Sequence, residues 1–154
     1  MKRLTTLLLS IGILSFISVT AQNNADKEAI NKLIDKYGET EDAGNMAAQG
    51  QLMTADRVWI GPVGSGRITD QVRNMETQQL QFDAAKGFVA GVKWFTDDRD
   101  RLIKFYGDGK VAVASFYRYR NFVLPPDTPL EKAALFNSPP PSVFTLVLEK
   151  SGDW

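Results

Sequence analysis

The stretch KVAVASFYRYRNF, residues 110–122, alternates with a period of two over its whole length. One face carries Ala112, Ala114, Phe116, Arg118 and Arg120, and the other carries Val111, Val113, Ser115, Tyr117 and Tyr119. Successive side chains of a strand point to opposite faces, so this is a long strand with two different sides. Asp108-Gly109 just before it is a tight-turn pair. Upstream, residues 89–95 and 101–106 read as two strands, or as one long strand bent and broken at Asp97-Asp98. Asp97-Asp98-Arg99-Asp100 reads as a solvated bend. Downstream, residues 125–141 form a proline-rich loop with room for one helical turn at 130–135. That loop is long for a hairpin connection and is expected at the mouth of the fold as a partial lid. Residues 143–150 return as a strand, followed by a turn at Ser151-Gly152-Asp153.

The first half of the chain reads differently. Ile30, Leu33, Ile34 and Tyr37 fall at i, i+3, i+4 and i+7, the stripe of an amphipathic helix over 26–37 that Gly38 ends. A second helix is expected over 42–54 with Asp42 as its N-cap, and a third over 70–85 with Thr69 as a cap and an inward stripe of Val72, Met75 or Glu76, Gln79 and Phe82. Residues 57–60 are a short strand closed by the turn at 61–66, which lacks the lysine and Ser/Thr pattern of a phosphate loop. Helices first and strands afterwards predict an α+β fold with a mostly antiparallel sheet.

The N-terminus has its own logic. Lys2 and Arg3 precede a mostly apolar run, 7–19, interrupted by Ser10, Gly12 and Ser15, and Val19-Thr20-Ala21 offers small or slim residues before Gln22. A charged start, a short apolar core and a small-residue exit are the marks of a secretory signal peptide over 1–21, and the run is too short and too broken for a membrane-spanning helix. The expectation is a protein exported to the periplasm or secreted, with residues 22–154 as its one folded domain and no stable membrane association after cleavage.

Composition narrows the chemistry. The chain has 18 basic and 18 acidic residues, and without Lys2 and Arg3 the remainder carries a formal charge of −2. With no long run of either sign, nucleic acid is not an expected partner. There is no cysteine and no histidine. Disulfides, thiolate metal sites, cysteine nucleophiles and Ser-His-Asp triads are therefore excluded, together with the commonest metal ligand. No metal and no cofactor is expected.

Three motifs in order carry a resemblance. Leu52-Met53-Thr54-Ala55-Asp56-Arg57-Val58-Trp59 follows the helix pair, Gly61-Pro62-Val63-Gly64 precedes the third helix, and Phe144-Thr145-Leu146-Val147-Leu148-Glu149-Lys150-Ser151-Gly152-Asp153-Trp154 closes the chain. Together they resemble the nuclear transport factor 2-like superfamily, in its SnoaL-like and ketosteroid-isomerase-like branches, over nearly all of 26–154. The resemblance implies a curved antiparallel sheet wrapped around three N-terminal helices as a cone with a pocket at its open end, and a homodimer formed through the outer sheet face. The family's last strand follows the tryptophan that stands here at 154, so that strand is expected to be missing, with the edges of its two neighbours exposed.

Laid on the isomerase pattern, the oxyanion tyrosine matches Tyr37, the base position matches Gly61 and the protonated-acid position falls near Phe144. Glycine cannot abstract a proton and phenylalanine cannot donate to an oxyanion, so ketosteroid isomerase activity is not expected. By the same matching, the Ala112 face of the long strand looks into the pocket: alanines leaving space deep in the cone, Phe116 as a wall, Arg118 and Arg120 nearer the mouth, suited to an anionic ligand. The alternative for the arginines is a solvated face or pairing with Asp97, Asp98 or Glu149. Trp59 and Trp94 stand as core or pocket wall, and Tyr37 as core or hydroxyl donor.

The leading expectation is an exported binder of a small, anionic or partly apolar molecule, held by Tyr37, Trp59, Trp94, Phe116, Arg118, Arg120 and Phe144. A second is an enzyme of the same fold (isomerase, cyclase or dehydratase type) using Tyr37 with a carboxylate such as Asp56 or Glu76. A third is a dimerisation or scaffold module with a vestigial pocket.

Overall fold

A computed structural model describes residues 23–61, 66–136, 139–152 and 154. The expected signal peptide, 1–21, and most of the Gly61–Gly66 turn lie outside the described residues. Helix α1 covers 23–42 and α2 covers Met46–Gly50. A hairpin of β1, Trp59–Ile60, and β2, Arg67–Ile68, precedes α3, Gln71–Phe88. The long strands β3, Lys93–Tyr106, and β4, Val111–Val123, follow. After α4, Leu130–Ala133, and a 3-10 turn, Ala134–Phe136, the chain returns as β5, Ser142–Glu149. β3, β4 and β5 pair antiparallel in that order, so β4 is central, while β1 and β2 pair only with each other. The result is the expected α+β arrangement of helices followed by an antiparallel sheet. Among the described residues no helix is long and apolar enough to cross a membrane.

The core is α1 laid across β4. Ile30 and Ile34 pack on Ala112, Ala114 and Phe116, all at most 2% exposed. The alanines, expected to leave space deep in the cone, instead make the clearance that the two isoleucines fill. Interiors close at crystal-like density, so a floor of small residues brings the opposing helix nearer.

Gly38 does not end α1. The helix continues for one more turn because Gly38 is the point where it passes closest to β3: a Cβ there would lie 2.8 Å from Thr96 Oγ1. The chain turns instead at Gly44, whose φ of +67° suits glycine and whose missing Cβ leaves room for the Phe82 ring. Asp42, expected to cap α2, accepts from Thr96 N at 2.9 Å and Thr96 Oγ1 at 3.3 Å. Asn45 caps α2, accepting from Ala48 N. Asp70 rather than Thr69 caps α3, accepting from Arg73 N at 2.7 Å. α3 turns Asn74 and Met75 inward and leaves Val72 and Glu76 exposed.

β3 is one strand, and its irregularity lies past Asp97-Asp98. Arg99 pairs with Tyr117 and Leu102 with Ser115, so two residues, Asp100 and Arg101, oppose the single Phe116. Asp100 takes φ 55° to make this bulge. The extra residue reverses the parity of the strand. Trp94, Thr96 and Asp98 share the inner face before it, in register with Phe122, Arg120 and Arg118, and Ile103 and Phe105 oppose Ala114 and Ala112 after it.

Candidate functional site

The inner face of the sheet holds a buried charge network. Arg118, 1% exposed overall, is gripped on both sides. Its Nε and Nη2 donate to the two carboxylate oxygens of Asp98 at 2.8 and 2.6 Å, and its Nη1 donates to Glu41 Oε2 at 2.6 Å. Arg120 Nη2 donates to Glu41 Oε1 at 2.9 Å, so the Glu41 carboxylate bridges two guanidiniums. Three rings surround the Arg118 cation: Phe144 at 4.5 Å, Tyr37 at 5.1 Å and Phe116 at 5.5 Å from centroid to Cζ. Burial works against the charged form of Arg118, but hydrogen bonding to Asp98 and the charges of Glu41 and Asp98 outweigh it and raise its pKa above the usual arginine value.

Sequence alternation put Arg118 on the inner face, and of the carboxylates named as alternative partners Asp98 does pair with it, while Glu41 was not among them. Asp98, read as part of a solvated bend, has a side chain only 4% exposed. The bend reading fails because the turn lies two residues later, at Asp100, leaving Asp98 in regular register opposite Arg118. Glu41 comes from the turn of α1 beyond Gly38, where no helix is expected from sequence. The internal acids therefore complete the donors of Arg118 that an anionic ligand was expected to complete. Beside them Asp42 is pushed above the ordinary aspartate value, chiefly by burial, against the opposing pull of the Thr96 hydrogen bonds.

Tyr37 lies against two cations. Its ring lies 5.1 Å from Arg118 Cζ, and Arg57 Nη2 donates to its hydroxyl oxygen at 3.1 Å, with the Arg57 guanidinium 5.6 Å from the ring centroid. Arg57 Nη1 also contacts the sulfur of Met53. Tyr37 itself is 8% exposed. Asp56 and Glu76, the carboxylates considered for a catalytic pairing with Tyr37, are both exposed and share no hydrogen bond with it.

The remaining sequence candidates separate into two groups. Phe116 and Phe144 stack on each other at 5.8 Å beneath Arg118. Trp59 is half-buried in the β1–β2 hairpin opposite Ile68. Trp94 belongs to a different cluster, tilted on Phe82 at 4.8 Å and edge-on to Phe122 at 6.2 Å. The proline-rich loop docks on that cluster: Phe136 packs on Phe122 at 5.5 Å and on Phe88 at 6.4 Å, and Lys132 Nζ donates to Phe88 O at 3.4 Å. A cavity of about 140 Å³ under this loop is lined by Val89, Ala90, Pro125, Asp127, Pro129 and Lys132, among others, and by neither Tyr37 nor any arginine. It is smaller than the roughly 300–1,000 Å³ of small-molecule sites. Among the described residues no group of three or more acidic side chains is placed to hold a metal ion.

The backbone path is shared with solved structures. An NTF2-like protein with a cystatin-like fold from Novosphingobium aromaticivorans superposes with a TM-score of 0.66 at 18% identity, covering 88% of this chain and 79% of that one. The fold is that of the nuclear transport factor 2-like proteins. ActVI-ORFA from Streptomyces coelicolor superposes on this chain with a TM-score of 0.64 at 13% identity, over 82% of this chain and 86% of that one. A putative scytalone dehydratase from Novosphingobium aromaticivorans gives 0.54 at 14% identity, over 71% and 68%. No family model matches the sequence. No curated protein matches it either. At these identities the likeness carries the fold and leaves the chemistry to this chain's own residues.

Proposed function

We propose that this protein is an exported binding domain for a small, partly apolar molecule taken up on the concave side of its sheet. The observation that carries the reading is the cluster of rings on the inner face with one guanidinium that no internal acid neutralises at its side: Tyr37, Phe116 and Phe144 gather around the acid-paired Arg118, and Arg57 lies against Tyr37 without a carboxylate partner among the described residues. Ligand sites combine apolar walls with a few placed polar groups, and this face has that composition. A putative scytalone dehydratase is among the proteins that share the fold, which is compatible with a small-molecule role. A catalytic reading finds less support, because the Tyr37 hydroxyl meets a guanidinium rather than a carboxylate base. Thermal-shift screening with a panel of small aromatic acids, amides and alcohols tests the proposal. A saturable rise in Tm with at least one class is the expected result, and no stabilisation across the panel contradicts it.

Export is the second part of the reading and rests on the tripartite start of the sequence. Mass spectrometry of the protein from its host is expected to give a mature N-terminus at Gln22; an intact Met1 in the cytosolic fraction contradicts it.

The expected homodimer has support in the outer sheet face. Leu102, Tyr106, Tyr117, Val143 and Val147 are each between 46% and 70% exposed, and the strand register sets them side by side, Tyr117 with Val143 and Val113 with Val147. A contiguous apolar face of this kind marks an interaction surface. Light scattering at micromolar concentration is expected to give twice the mature mass, and Val147→Lys to reduce it toward one copy.

A further inference from the structure

Four of the described arginines are not exposed: Arg57, Arg101, Arg118 and Arg120. Three of them have a carboxylate partner. Arg101 donates to Asp35 at 2.6 Å, Arg118 to Asp98 and Glu41, and Arg120 to Glu41. Arg57 alone has none among the described residues; its partners are the sulfur of Met53 and the hydroxyl oxygen of Tyr37. A guanidinium carries five N–H donors and no acceptor, and a half-buried one with only neutral partners keeps a charge without an internal counter-charge and N–H groups open to an outside acceptor. The Tyr37 side is equally incomplete. Its oxygen accepts from Arg57, and its own hydroxyl hydrogen has no acceptor among the described residues.

We propose that Arg57 and Tyr37 form a two-donor clamp for the anionic oxygen of a small carboxylate-bearing ligand. The proposal rests on the binding reading above and places the ligand's charge away from Arg118 and Arg120, whose acids already neutralise them. A carboxylate offers the planar pair of acceptors that a guanidinium fork matches. With one oxygen toward the spare Arg57 N–H groups and the other toward the Tyr37 hydroxyl, it would complete both residues at once. The Tyr37 phenol is suited to that second contact because a cationic donor already engages its oxygen, which strengthens the O–H as a donor through hydrogen-bond polarisation.

Isothermal titration with 2-naphthoate and its neutral isostere 2-naphthamide tests this, on the wild type and on Arg57→Gln, Arg57→Lys, Tyr37→Phe and the outer-face control Arg99→Gln. Charge-assisted hydrogen bonds are stronger than neutral ones, so the wild type is expected to prefer naphthoate by about tenfold or more. Arg57→Gln removes the preference, lowering naphthoate affinity by more than it lowers naphthamide affinity. Arg57→Lys keeps the charge without the fork and retains part of the preference. Tyr37→Phe lowers naphthoate affinity by about threefold to tenfold, the loss of one hydrogen bond. Arg99→Gln changes nothing. Circular dichroism and Tm establish that each variant is folded, and if Arg57→Gln is not, the Arg57→Lys and Tyr37→Phe results decide. An undiminished preference in folded Arg57→Gln overturns the clamp and leaves the binding reading standing. Failure of the wild type to bind either probe overturns the clamp, and the ligand panel above then decides the binding reading.

Discussion

Two arginines flank Tyr37 and live in opposite circumstances. Arg118 is sealed against Phe144 and Phe116 with three of its nitrogens on Asp98 and Glu41. Arg57 is half-buried, with a thioether and a phenol for company. The difference separates two uses of one side chain. Where the fold supplies the counter-charge, the cation ties elements together: Arg118 fastens the last turn of α1 and the middle of β3 to β4. Where it does not, the cation remains available to something from outside. Position on a concave face does not by itself make an arginine a ligand-binding residue; the count of internal acids decides.

The largest expected effect comes from breaking the sealed side. Arg118→Ala leaves Asp98 buried without its partner, a change that costs about 3–5 kcal/mol. In a domain of this size that lowers Tm by roughly 10–20 °C, measurable by calorimetry. Arg118→Met combined with Asp98→Leu removes both charges and is expected to recover most of the loss, since apolar replacement of a buried pair is often close to neutral. A single variant as stable as the wild type would mean that the network is not buried as described.

A smaller effect tests the close approach that brings Glu41 into reach. Gly38→Ala gains helix propensity of about 0.8–1.0 kcal/mol, but its Cβ would meet Thr96 Oγ1 at 2.8 Å. That oxygen is held by Asp42, so the clash is expected to win, with a net loss of about 1–2 kcal/mol, in the range of overpacking. Adding Thr96→Ala relieves the clash, and the double variant should be more stable than Gly38→Ala alone. Additive losses in urea denaturation would argue against the contact.

The smallest effect concerns Asp42. Its pKa is raised in the folded protein, chiefly by burial, so its ionisation opposes folding: its contribution is most favourable below the unfolded aspartate pKa and declines as pH rises through the folded one. Asp42→Asn can still accept from Thr96 without the charge. It is expected to raise Tm slightly at pH 7, with the gain vanishing at pH 3.5, where the wild-type carboxyl is protonated too. A gain that persists unchanged at pH 3.5 would remove charge as its cause.

How much of this was legible in the sequence follows from the range over which each signal acts. The two faces of β4 were readable because period-two alternation runs unbroken through residues 111–120, and Ala112, Ala114, Phe116 and Arg118 are buried together as it implies. The helical stripe of Ile30, Ile34 and Tyr37 was readable for the same reason. β3 was not, because the residue in left-handed conformation at Asp100 reverses its parity, and an aspartate at such a point is one choice among several. Gly38 was misleading because a glycine that stops a helix and one that admits a neighbouring strand look alike until the strand is placed. Arg57 went unnoticed as a site residue although it sits within the motif at 52–59, since its meaning lies in what Tyr37, twenty residues earlier, lacks.

The most direct test of the whole account is a crystal structure of the protein soaked with 2-naphthoate. The account predicts the carboxylate within hydrogen-bonding distance of Arg57 and the Tyr37 hydroxyl, with the Asp98–Arg118–Glu41–Arg120 network undisturbed. A carboxylate found on Arg118 or Arg120 in place of Glu41 would contradict the division between the sealed and the available cation.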